Sequence, residues 1–337
     1  MRNKQKHIIF LTPGFASCEK DSTSIPALQV YLKSFRKIQP SVKMTIITFQ
    51  FPFKKEIYQW NEIEVIPLNG RNRILKKVWV WRKAIKILAS IHERSPITCI
   101  HSFWIGECSF IGELFSKRHE INHVTTVMGQ DANSKSFFSK YSKNSNAKIV
   151  TLSKNHHNVL LKKHSIFSKI IPWHLDVSLF PPLEKSKIDI LGVGSLNVVK
   201  NYSFFINIIY QLVKTYPFIS VEIIGEGTER FKLEKQIEQF NLDKNIKLLG
   251  ELPRNKVVKK MSQSNILLHT SHYESFGFVF LEALYAGMRI VSKDIGMAYD
   301  CPEWKLCDYR ELDFVEGCIF FLKNKKHSKK RLQYGNV

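Results

Sequence analysis

Glu274 and Glu282 stand eight residues apart in the stretch His269-Thr-Ser-His-Tyr-Glu-Ser-Phe-Gly-Phe-Val-Phe-Leu-Glu-Ala-Leu-Tyr-Ala-Gly-Met-Arg-Ile-Val-Ser-Lys-Asp-Ile-Gly296. Residues 278–286 are apolar almost all round, the pattern of a helix packed on several sides. Glu282 breaks that pattern, and a carboxylate in such surroundings is costly unless something specific hydrogen-bonds to it. On one continuous helix the two glutamates would not share a face, because eight steps overshoot two turns by about 80°. With Glu274 in the loop that feeds the helix, both can face the space above its N-terminus. Partial positive charge and free N–H groups there suit a phosphate or a cluster of sugar hydroxyls. Gly277 falls where backbone would approach a ligand closely. The opposing reading is a solvated loop Glu and a second Glu pointing outward from the helix. Glu282 has too many apolar neighbours for that.

The elements that must position these groups read as an alternation of strands and helices, which argues for parallel sheets. Strands are predicted at 7–12, 44–49, 63–67, 97–102, 124–128 and 148–153, with a helix from Pro26 to about Lys37. Pro13-Gly14-Phe15 is a turn whose backbone N–H groups can face a ligand. Pro181-Pro182 begins a stiff linker, which divides the chain into domains 1–183 and 184–337. The alternation restarts at 189–194 and continues through a strand from Ser220 into the Gly225-Glu-Gly227 turn. A helix at 229–240, a stretch at 246–252 leading into a loop, a helix at 254–262 and a strand at 265–269 follow. Residues 72–94 read as a helix with Ile74, Leu75, Val78, Trp81, Ile85 and Leu88 on one side. Arg73, Lys76, Lys77, Arg82, Lys83 and Lys86 surround the rest. Such a helix either lies on an anionic membrane or packs on the sheet with a solvated basic face.

The 337 residues suffice for two domains, and 44% hydrophobic with 24% charged residues is the composition of a globular protein. No apolar run approaches the ~20 residues of a membrane span. The basic start leads into too few apolar residues for a signal-peptide core, so the expected place is cytoplasmic, peripheral on the inner face of the cell membrane. Cys18, Cys99, Cys108, Cys301, Cys307 and Cys318 include no Cys-x-x-Cys pair, and read as free thiols in a reducing compartment. A net charge of +22 calls for an anionic partner. No nucleic-acid motif accompanies it, so a membrane surface and a phosphate-bearing donor fit better. Residues 323–331 form a basic tail, either a solvated end or a contact for acidic headgroups.

Glu274-Ser-Phe-Gly-Phe-Val-Phe-Leu-Glu282, with Ala283, Gly287 and the loop to Gly296, resembles the Glu-x7-Glu signature of retaining glycosyltransferases of the family 4 type. That resemblance implies an α/β fold of two Rossmann-like domains facing across a cleft, the arrangement called GT-B. It also implies transfer of a sugar from a UDP- or GDP-linked donor to a polysaccharide or lipid-linked acceptor. No metal and no cofactor is implied. By the same resemblance Glu282 would bind the ribose hydroxyls, and Glu274 the donor sugar beside the Phe276 and Gly277 backbone. Gly194-Ser195-Leu-Asn-Val-Val-Lys200 matches a segment whose Arg and Lys clamp the diphosphate; here Lys200 is present and Ser195 replaces the Arg. Gly225, Gly227 and Leu252 would lie beside the donor, and the Gly14 turn would close on it. Met128-Gly-Gln-Asp131 is similar to the family's His-Gly-x-Asp, with Met128 in place of the His. His101 corresponds to a histidine at a strand end, for which a satisfied core position is the other reading. Two alternatives remain open: a nucleotide-sugar epimerase on the same fold, and an inactive membrane-associated protein that binds sugar nucleotides.

Overall fold

The computed structural model describes residues 5–133, 136–324 and 331; residues 325–330 of the basic tail therefore lie outside the described residues. The chain divides into two compact units, residues 1–174 and 175–337. The division falls earlier than the proline-rich linker at 181–183. Phe180 explains this: it is buried and stands edge-on to the Tyr285 ring at 4.9 Å, which ties the linker to the second unit.

In the first unit the strands are β1 (His7–Thr12), β2 (Lys43–Thr48), β3 (Tyr58–Trp60), β4 (Ile63–Pro67), β5 (Cys99–Phe103), β6 (Asn122–Thr126), β7 (Lys148–Thr151) and β8 (Lys169–Ile170). They lie in the order β3-β4-β2-β1-β5-β6-β7-β8, parallel except for β3. The helices are α1 (Pro26–Ile38), α2 (Lys77–Arg94), α3 (Glu107–His119), α4 (Phe137–Lys143) and α5 (Lys154–His164). β3 is too short for periodicity to reveal. It exists because Asn61 and Glu62 both adopt positive φ (45° and 61°) and turn the chain tightly back along β4. The core consists of apolar side chains from β1, β2 and β4 packed under α2 and α3.

The second unit contains β9 (Ile188–Val193), β10 (Val221–Ile224), β11 (Ile246–Leu248), β12 (Ser264–His269), β13 (Arg289–Ser292) and β14 (Trp304–Leu306). Its helices are α6 (Tyr202–Val213), α7 (Arg230–Gln239), α8 (Arg254–Ser262), α9 (Phe278–Tyr285) and α10 (Glu311–Lys323). The order β11-β10-β9-β12-β13-β14 is parallel throughout. Counted from its own first strand, this is the 3-2-1-4-5-6 winding of dinucleotide-binding sheets. The direction of winding reverses between β9 and β12, and in the first unit between β1 and β5. Side chains leaving the carboxyl ends of those strand pairs point into the crevice where open α/β sheets hold ligands.

The helix predicted at 72–94 forms with a different inner face. Residues Ile74–Lys76 make a 3-10 turn, so the α-helical phase starts at Lys77. The buried positions are then Val80, Ala84, Leu88 and Ile91, a spacing of four, four and three that keeps one stripe on the sheet. Of the expected stripe, Ile74, Leu75 and Val78 are exposed, Trp81 and Ile85 are half-buried, and only Leu88 is fully inside.

A pair of substitutions checks this register by denaturant unfolding. Leu88→Ala is expected to destabilise by ~2–5 kcal/mol through the cavity it leaves. Leu75→Ala, at 98% exposure, is expected to change stability by less than ~0.5 kcal/mol.

Candidate active site

Four loops leave the carboxyl edge of the second sheet side by side: 194–201 after β9, 225–229 after β10, 249–253 after β11 and 270–277 after β12. Backbone bonds tie them together. The Gly194 amide donates to the Ile224 carbonyl at 3.0 Å, that of Gly225 to Gly250 at 2.9 Å, and that of His272 to Val199 at 2.9 Å. Thr270 Oγ1 donates to the carbonyls of Lys200 (3.0 Å) and Asn201 (3.1 Å). Tyr309 in turn donates to the Thr270 carbonyl at 2.8 Å. The loop carrying Lys200 and the loop carrying Glu274 are thus fixed against each other at the winding reversal.

Glu274 lies at the centre of this junction, with 14% of its side chain exposed. Its Oε1 accepts from the Lys200 ammonium, from His269 Nε2 at 2.9 Å and from Ser271 Oγ at 3.1 Å. Burial by itself pushes this carboxyl up, but the Lys200 charge and the His269 hydrogen bond outweigh it and hold it down at about 2. His269 is driven below the ordinary histidine value by burial, with Lys200 acting in the same sense against the pull of Glu274. It is therefore a neutral imidazole with its proton on Nε2, where Glu274 receives it. Burial and the Glu274 charge also raise the nearby Tyr202 hydroxyl.

Glu282 is 3% exposed, within α9. Its carboxylate forms an ion pair with Arg254, from the first turn of α8. Burial lowers the Arg254 guanidinium to about 10, still far above neutrality, so the Arg254 side of the pair is charged. Gly277 caps α9 in the left-handed conformation at φ 73°, and no side chain caps that end. The Phe280 amide donates to the Gly277 carbonyl at 2.8 Å, and the Phe278 and Val279 amides at that end have no side-chain cap, a feature suited to an anion. Phe276 is buried, and its carbonyl accepts from the Met297 amide at 2.8 Å.

The loops after β9 and β10 approach each other closely. A Cβ at Gly225 would overlap the Gly194 carbonyl oxygen, and one at Gly227 would overlap that of Leu196. Only glycine fits at these two positions. Ser195 is exposed on the same loop and Leu252 is half-buried after β11.

Residues Gly14, His101 and Asp131 belong to the first unit. Gly14 is buried, and a Cβ there would make only ordinary contacts, at 3.5 Å or more. His101 stacks on Phe103 at 4.4 Å. Its Nε2 is 2.8 Å from Thr126 Oγ1 and its Nδ1 3.4 Å from the Tyr31 hydroxyl. Burial first, and His123 second, lower it to about 3; it is a neutral histidine inside an aromatic cluster. Asp131 Oδ2 accepts the Ile105 amide at 2.6 Å, and burial lifts its carboxyl to about 7 against the pull of that bond. Asp131 helps line a cavity of about 220 Å³ at the carboxyl ends of β1, β2 and β5, with Pro13, Phe49, Phe103 and Phe138 among its walls. Glu107 lies in the same wall and accepts from Trp81 Nε1 at 2.7 Å and from Gln50 Nε2 at 3.2 Å.

Three participants escape sequence reasoning. Arg254, His269 and Glu107 belong to no periodic pattern, and what identifies them is the carboxylate chemistry around them. A buried Glu282 requires a cation, which was the available clue to Arg254. Among the described residues no group of three or more His, Cys, Asp or Glu side chains could hold a metal ion.

Residues 180–302 match the family described as Glycosyl transferases group 1. Over 130 residues the chain is 32% identical to one of the subunits of human phosphatidylinositol N-acetylglucosaminyltransferase, covering 38% of this chain and 27% of that protein. Over 108 residues it is 31% identical to glycogen synthase of Mycobacterium tuberculosis, covering 32% and 26%. The chain thus spans about a quarter of the length of these curated relatives. Sucrose-phosphate synthase from Thermosynechococcus elongatus has a similar fold, with TM-score 0.79 at 14% identity over 95% of this chain and 90% of that one. HepE of Anabaena, in complex with UDP and glucose, has TM-score 0.72 at 15% identity over 95% and 91%. The two-sheet α/β architecture is the one called GT-B.

Two stability measurements check the electrostatics. Asp131 is protonated in the folded chain at pH values where the unfolded chain has released the proton. Its contribution to stability therefore falls as pH rises from 3.8 to about 7, and is level above that. Asp131→Asn is expected to remove that decline in urea unfolding across a pH series. Arg254→Ala strands a buried carboxylate and is expected to cost ~3–5 kcal/mol, most of it recovered in Arg254→Met/Glu282→Leu.

Proposed function

We propose that the chain transfers a sugar from a nucleotide diphosphate sugar to an acceptor hydroxyl, with retention at the anomeric carbon, a reading supported by the match of residues 180–302 to the group 1 glycosyl transferases. The observation that carries this reading is the Glu274–Lys200–His269 cluster at the winding reversal of the second sheet, beside the uncapped end of α9. Lys200 is the cation for the diphosphate, and the α9 amides add donors to the same phosphates. Glu274, kept ionised by its neighbours, accepts hydroxyls of the donor sugar. Glu282 faces the ribose hydroxyls.

In the step proposed, the acceptor oxygen bonds to the anomeric carbon as the bond from that carbon to the diphosphate oxygen breaks. The electron pair of that bond stays on the phosphate, which takes up the acceptor's proton. Negative charge grows on the leaving group, and Lys200 stabilises it in place of a metal. Structures of HepE with UDP and with UDP-glucose favour a uridine donor for this chain. The acceptor on this reading is a glycolipid or growing polysaccharide presented at the inner face of an anionic membrane. Among the described residues no helix is long and apolar enough to cross one.

Transfer or hydrolysis of labelled UDP- and GDP-sugars tests the reading, after a thermal-shift panel identifies the nucleotide that raises Tm. Glu274→Ala and Lys200→Ala are each expected to lower kcat/KM by roughly 10²–10³-fold. Turnover unchanged in both variants would overturn the assignment. An epimerised donor formed without acceptor would identify an epimerase instead.

A further inference from the structure

We propose that the first unit docks on an anionic lipid bilayer through a face built from two neighbouring segments, residues 53–57 and 71–76, and the first turns of α2. This surface belongs to the first unit, whereas Lys200 and Glu274 belong to the second, so the proposal stands whether or not the chain turns out to be a transferase.

The loops are held together at the carboxyl ends of β2 and β4. The Arg71 amide donates to the Gln50 carbonyl at 3.2 Å, the Asn72 amide donates to Gln50 Oε1 at 2.8 Å, and the Arg71 guanidinium sits 5.3 Å from the Phe53 ring centre. The result is a run of large apolar side chains turned to solvent: Leu75 98% exposed, Ile74 80%, Ile57 58%, Phe53 56%, Trp79 55% and Val78 54%. The 3-10 turn at Ile74–Lys76 lifts the first two off the inner stripe of α2. Phe53 meets Phe51 and Arg71, and Trp79 meets Lys83, in contacts that leave more than half of Phe53 and of Trp79 exposed.

Charge identifies the partner. Between Glu64 and Glu93 the sequence contains no acidic residue, while Arg71, Arg73, Lys76, Lys77, Arg82, Lys83 and Lys86 all fall there. Among the described residues only Lys77 of these pairs with a carboxylate, that of Glu107 at 3.6 Å. An open hollow between the loops is lined by Lys54, Lys55 and Arg71 next to Phe53 and Ile57, with Glu56 the one acid in it. Protein–protein interface cores are depleted in lysine. A bilayer surface, by contrast, accepts inserted apolar and tryptophan side chains while long cationic ones reach the headgroups. Asn72 and Glu107 wall the first unit's cavity, so docking here brings that cavity next to the headgroups.

Co-sedimentation of the full chain with vesicles of phosphatidylcholine, with and without phosphatidylglycerol, tests the proposal. Binding is expected only to the anionic vesicles, and is expected to weaken as salt is raised. Neutralising two exposed cations, Arg73→Gln/Lys76→Gln, should weaken it roughly thirtyfold, and Leu75→Ser/Trp79→Ser should weaken it as well. All four residues are solvent-facing, so circular dichroism should show the fold unchanged. Lys244→Gln/Lys247→Gln, exposed in the second unit, removes the same charge elsewhere and should leave binding as it was. Equal binding to neutral vesicles, undiminished binding by both surface variants, or an equal loss in the Lys244/Lys247 control would overturn it.

Discussion

Removing a carboxylate from water is tolerable only when cations and donors replace the water, and that requirement organises the second unit around Glu274. One oxygen receives Lys200, His269 and Ser271. Those three come from the loop after β9, the end of β12 and the loop after β12. Satisfying a single charge therefore locks two strand ends into one geometry. Tyr309 and Thr270 brace the same junction from behind. Because Lys200 outweighs the burial penalty, the carboxylate stays ionised down to about pH 2.

Both units wind their strands the same way, yet their reversal points are chemically opposite. In the second unit the crevice gathers charge: Lys200, Glu274 and the bare amide end of α9. In the first unit it is walled largely by aromatic and aliphatic groups, with Asp131 lifted to about 7 by burial. Glu107 remains there under donors from Trp81 and Gln50. One architecture holds a charged cluster in one sheet and a largely apolar recess in the other. His101, two residues before Phe103 of that recess's wall, is occupied with joining β5 to β6 through Thr126 and to α1 through Tyr31.

Helix α2 illustrates how local geometry redirects a pattern. Its apolar residues outnumber the places on the sheet, and the turn at Ile74–Lys76 decides which are kept inside. Val80 and Ala84, unremarked among larger neighbours, form the packed face with Leu88 and Ile91. Ile74, Leu75 and Val78 are released to solvent among a cluster of cations. A phase error of one turn thus separates a core stripe from a surface.

Local pattern alone determined the alternation of buried strands and helices, the loop-then-helix placement of the two glutamates, and the glycines at 225 and 227. Each of these depends on neighbours within a few residues, through periodicity and backbone freedom. The partner of Glu282 was decided elsewhere. Arg254 reaches it from another helix, and no spacing rule links residues joined only by the packing of α8 on α9. The short hairpin strand β3, the neutral state of His101 and the raised carboxyl of Asp131 were likewise settled by tertiary structure. Burial, unlike periodicity, is a property of everything that folds over a residue, and most of that is distant in the chain.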